Sequence, residues 1–114
     1  MAGMTLANPG LLSQAGVKVA IHSDTTSGCK FLLVSVGLAV REGLPEEEAL
    51  RSVTINAAEI LGVADRVGSL EAGKDADVVV FSGHPLHTYT TADLVLINGE
   101  VVHRRPVAGA SGAR

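Results

Sequence analysis

The sequence predicts an α/β fold that runs through one buried strand, two helices and a β-rich end. Val17 to Ile21 read VKVAI, a short apolar run that opens after Gly16 and leads into the polar cluster His22, Ser23, Asp24, Thr25, Thr26. Apolar residues then recur at helical spacing between Cys29 and Leu61, and beyond Gly68 the pattern changes to short continuous apolar runs.

The first run reads as a strand over about residues 17–22. Strands apolar on both faces belong to parallel sheets covered by helices, where polar residues just past the strand's C-terminal end often build the active site. From about Cys29 to Glu42, Leu32, Leu33, Val36, Ala39 and Val40 mark a helix, and Val34 and Leu38 make it apolar nearly all round, so it needs cover. Gly43 and Pro45 punctuate the chain. Pro45 with Glu46, Glu47 and Glu48 starts a second helix over about residues 46–61, its acidic first turn favoured by the helix dipole. Its expected core positions are Ala49, Leu50, Val53, Ala57, Ile60 and Leu61, and Gly62 ends it. Val78–Phe81 and Leu94–Ile97 read as strands, and Asn98-Gly99 before Val101-Val102 predicts a hairpin, because both residues tolerate the positive φ of a type I′ turn. Residues 106–114 are small, polar or glycine-rich and are expected to be disordered. A lone buried parallel strand finds no partner within the chain, so the architecture is expected to be part of something larger.

With 114 residues, 46% of them hydrophobic and 18% charged, the chain suits one globular domain or part of one. A net charge of −3 and a basic cluster confined to His103–Arg105 argue against nucleic-acid binding. The single Cys29 excludes an intrachain disulfide framework and fits a reducing cytoplasm. The apolar stretch Phe31–Val40, broken by Ser35 and Gly37, is far short of the roughly 20 residues of a membrane helix.

Three further runs carry a resemblance: TINAAEILG at 54–62, VGSLEAGKDADVVVF at 67–81 and LINGEVVHRR at 96–105. In combination they resemble the C-terminal signature of the metal-dependent amidohydrolase superfamily, and within it the imidazolonepropionase-like and Xaa-Pro-dipeptidase-like branch. The resemblance implies that the chain is the C-terminal piece of a (β/α)8 barrel joined to a small β-sandwich. Residues 1–66 would then hold the last barrel strand and its helices, and residues 67–105 the sandwich strands. It further implies that Asp24, at the end of the last barrel strand, binds a divalent metal, usually zinc. The same carboxylate would take the proton from the water that attacks the substrate carbonyl. His22 is a candidate for contact with substrate. The family's other ligands, a His-x-His pair, a lysine and two further histidines, would all precede Met1. The isolated chain is therefore expected to hold no metal and to be inactive, while the complete enzyme would cleave a C–N bond of a small amide, cyclic imide-like or dipeptide substrate. The competing expectations are a non-enzymatic module that self-associates, or one subunit of a split hydrolase whose barrel is another chain.

The remaining chemistry-bearing residues read as structural. Pro85 in GHPLH keeps His84 and His87 from helical alignment, which points to a surface loop. Cys29 reads as a packed thiol. Thr54, Asn56, Gly62, Gly68 and Gly73 read as capping and turn residues, and Lys74, Asp75 and Asp77 as a charged turn into a strand.

Overall fold

The computed structural model describes residues 5–106, which divide into a helical unit up to Ser69 and a β unit from Leu70 onward. Of the tail 106–114 expected to be disordered, residues 107–114 lie outside the described residues.

The helical unit holds α1 (Asn8–Gln14), a 3₁₀ turn (Cys29–Phe31) leading into α2 (Leu32–Arg41), α3 (Glu46–Ser52) and α4 (Ile55–Leu61). The sequence does not announce α1, and Gly10 in its first turn explains why. Glycine weakens a helix, but a Cβ at Gly10 would lie only 2.8 Å from the Gly43 carbonyl carbon and 2.9 Å from the Leu44 nitrogen. Only a bare Cα allows that approach. The helix ends at Gly16 (φ 85°), and the Val17 amide bonds back to the Leu12 carbonyl at 2.9 Å. The α4 end closes in the same way at Gly62 (φ 78°), with the Val63 amide on the Ala58 carbonyl.

The single helix expected over 46–61 is two. Ser52 Oγ donates to the Ala49 carbonyl at 2.6 Å and Thr54 Oγ1 to the Leu50 carbonyl at 2.8 Å, so hydroxyls compete for the acceptors that a continuous helix needs. The break resets the helical phase of residues 55–61. Ala49 is buried as expected, but Ile60 and Leu61 are exposed, and Asn56 and Ala58 point inward in their place. Val36, Ala39, Leu44, Ala49 and Ala58 form the apolar core, with Ser52 and Asn56 as its buried polar members.

Residues 17–22, where a buried strand was expected, form no β-ladder, and Val17 and Lys18 are exposed. The reason is local: a parallel strand exists only beside neighbours, and the three described strands all lie in the other unit. The segment is held instead by ties to α3 and α4.

In the β unit, β1 (Val78–Phe81), β2 (Ala92–Ile97) and β3 (Glu100–Arg104) make an antiparallel sheet in the order β1-β2-β3. Ile97 pairs with Glu100 across Asn98 (φ 52°) and Gly99 (φ 79°), the positive-φ pair that the sequence predicts. Asp77 anchors this turn, its Oδ1 accepting the Asn98 amide at 3.0 Å, while the Gly99 amide donates to the Ala76 carbonyl at 2.9 Å. At the other end of the sheet, Thr91 Oγ1 donates to Asp93 Oδ1 at 2.7 Å and accepts from Arg105 Nη1 at 2.6 Å.

Candidate functional site

Asp24 and His22, the two residues that the sequence singles out, lie on the exposed segment between the tethered run 17–21 and the turn before α2. The Asp24 carboxylate makes no hydrogen bond or ion pair among the described residues, which leaves its oxygens available to a ligand. It does not act as a helix cap, the ordinary use of an aspartate in a Ser-Asp-Thr-Thr cluster. His22 Nδ1 lies 2.9 Å from the Ser23 carbonyl oxygen. A carbonyl has no proton to give, so Nδ1 is the donor, and a neutral ring then carries its lone pair on Nε2.

The segment carrying them is fixed on both sides. Upstream, three ties lay it on α3 and α4. Lys18 Nζ pairs with Glu59 Oε1 at 2.7 Å, Asn56 Nδ2 donates to the Val19 carbonyl at 3.0 Å, and the Ile21 amide donates to the Ser52 carbonyl at 3.1 Å. Downstream, Thr25 Oγ1 accepts the Gly28 amide at 3.0 Å, and Cys29 Sγ donates to the Thr26 carbonyl at 3.0 Å. Cys29 is exposed, not packed as expected, and its thiol serves this turn.

Thr54 and Asn56 differ from their expected use as caps. The Thr54 hydroxyl closes the end of α3 and gives α4 no side-chain cap. Asn56, 2% exposed, reaches across to Val19 and also donates to Glu48 Oε2 at 3.3 Å. The sequence carried a signal for it: an asparagine flanked by apolar residues inside a helix must find partners if it is buried. The rings of His84 and His87 lie with centroids 5.3 Å apart at a 32° tilt in a loop, where His84 Nδ1 accepts the Leu86 amide at 3.2 Å. Among the described residues no three His, Cys, Asp or Glu side chains converge as a metal site, and no helix is long and apolar enough to cross a membrane. Asp24 thus fits a divalent cation as one oxygen donor, not as a complete site.

Comparison with known proteins decides the family. A sequence model described as the amidohydrolase family matches residues 3–107, nearly the whole chain. The chain belongs to the amidohydrolase family. The imidazolonepropionase of Shewanella oneidensis is 36% identical over 105 residues, covering 82% of this chain and 26% of that protein. An amidohydrolase from Thermotoga maritima superposes with a TM-score of 0.85 at 41% identity, over 90% of this chain and 27% of that one. A Xaa-Pro dipeptidase with methionine bound in its active site gives a TM-score of 0.73 at 26% identity, over 84% and 25% of the two chains. The chain therefore spans about a quarter of the length of the amidohydrolases it matches. The resemblance read from the three sequence runs holds at the level of the family, and the fold is mixed α/β with a small antiparallel sheet.

Proposed function

We propose that this chain is the C-terminal portion of a metal-dependent amidohydrolase and contributes Asp24 to hydrolysis of a C–N bond in the complete enzyme. The observation that carries the reading is the exposed, unpartnered carboxylate of Asp24, held between the helix ties at 18–21 and the turn at 25–28. An aspartate outside every local hydrogen bond leaves both carboxylate oxygens open to an external group. The family match and the relatives' names, an imidazolonepropionase and a Xaa-Pro dipeptidase, support a cyclic amide or a dipeptide as substrate class.

When bound, a divalent cation, zinc in this reading, would supply the Lewis acidity that makes water a competent nucleophile at pH ~7. Asp24 would offer one carboxylate oxygen to that cation and act as the general base. It accepts the proton that the attacking water releases and returns it to the leaving nitrogen. His22, with Nε2 directed away from its bond to Ser23, lies two residues from this carboxylate and contacts the substrate. The helix ties set where both side chains stand. Because a stable zinc site needs about three or four protein ligands, the isolated chain binds no stoichiometric metal and does not hydrolyse substrate. The barrel and sandwich roles of residues 1–66 and 67–105 belong to the same reading.

The test is a chimera in which this chain replaces the matching quarter of the Shewanella oneidensis imidazolonepropionase. The expected outcome is hydrolysis of imidazolonepropionate, with Asp24→Asn lowering kcat by about 10²–10⁴-fold, the usual contribution of a positioned general base. A folded chimera whose rate is unchanged by Asp24→Asn would remove Asp24 from the chemistry.

A further inference from the structure

The helix α4 carries a buried amide whose bonds reach outside its own helix, and neither a capping role nor the catalytic reading explains it. Asn56 lies 2% exposed in the helical unit. Its Nδ2 donates to the Val19 carbonyl, 37 residues back in the chain, and to a carboxylate oxygen of Glu48 on α3. Both partners only accept, so both protons of one amide nitrogen are used, and the partners themselves fix which end of the side chain is nitrogen. Glu48 is in turn held by Arg51, with Nε 3.4 Å from Oε1. The result is a chain of contacts from Arg51 through Glu48 and Asn56 to the backbone of Val19.

Val19 is the middle of the three ties on the run that ends at Asp24. On one side of it the Lys18–Glu59 pair is half exposed, and surface pairs of this kind hold weakly. On the other side, the Ile21–Ser52 bond joins two backbones that a small shift can separate. Asn56 alone combines burial with a side-chain donor, and depriving a buried donor of its acceptor is costly, so its bond resists opening more than its neighbours do. Without a sheet partner, the carbonyl of Val19 has this amide as its anchor.

We propose that Asn56 is a positioning residue for Asp24: it fixes residues 19–21 on α3 and α4 and thereby sets where the carboxylate three residues further on stands. The inference rests on the catalytic reading of Asp24 for its functional meaning, but the tether can be tested without it. Failure of hydrolysis in the chimera would leave the hydrogen-exchange result untouched.

The experiment is amide hydrogen exchange on the 114-residue chain, with the Ile21 amide as reporter and the α2 amides of Val36 and Ala39 as controls. Asn56→Leu keeps the volume and removes the donor. Protection at Ile21 is expected to fall about tenfold or more while the α2 controls change by less than about twofold, as for a local opening. A second variant separates tethering from general packing. Asn56→Asp places an acceptor against two acceptors, and adding Glu48→Gln restores a donor between α3 and α4 but none toward Val19. The double variant should keep α2 protection at the wild-type level while Ile21 stays unprotected. Equal loss of protection at Ile21 and along α2 in Asn56→Leu, unchanged protection at Ile21, or its recovery in the double variant would each overturn the proposal.

Discussion

The helical unit and the β unit solve burial differently. Every fully buried residue among those described lies in the helical unit, where Val36, Ala39, Leu44, Ala49 and Ala58 make a small core that also encloses Ser52 and Asn56. The β unit has a hydrogen-bonded sheet, with a register shift in each ladder, but no fully buried described residue. Val79, Val80, Val101 and Val102 are exposed, and as adjacent pairs they face opposite sides of the sheet. Strong pairing and a closed core are thus separate properties. The helical unit ties residues 18–21 to α3 and α4, whereas the sheet is tied by turn chemistry and the clasp of Thr91, Asp93 and Arg105.

Substitutions matched across the two units sharpen this contrast. The largest effect is expected for Gly68→Ala, because Gly68 has φ 101° and a Cβ there would lie 2.7 Å from that of Ala58. Strain and overpacking together should cost about 3 kcal/mol, read as a lower midpoint in urea denaturation followed by far-UV circular dichroism. Val36→Ala removes two methyl groups from a site with no exposure and should cost about 2 kcal/mol in the same assay. Gly99→Ala places a Cβ at φ 79° in the hairpin and should cost about 1 kcal/mol, visible as faster exchange of the β2 and β3 amides. The same valine-to-alanine change at Val102, 55% exposed, should stay within about 0.5 kcal/mol. Equal costs at Val36 and Val102 would break the comparison.

What the sequence made legible was local or familial. The Asn98-Gly99 turn, the Pro45 helix start, the Gly62 stop and the inward positions Val36 and Ala39 each follow from a residue's own conformational or apolar preference. The three signature runs disclosed the family. What stayed hidden depends on partners remote in sequence. Gly10 conceals α1 until its contact with Gly43 and Leu44 is known, and Asn56 reads as a cap until Val19 is found against it. Ile60 and Leu61 are expected inside because nothing in their spacing reveals that two hydroxyls break the helix at 53–54. The apolar run at 17–21 has the composition of a strand, yet a strand is a property of at least two segments.

The central claim is that Asp24 is held as an oxygen ligand and general base, and zinc-edge anomalous diffraction from crystals of the zinc-loaded chimera tests it most directly. The account predicts zinc with one Asp24 carboxylate oxygen at about 2.0–2.2 Å. A filled zinc site with the Asp24 carboxylate turned away from it would contradict the account.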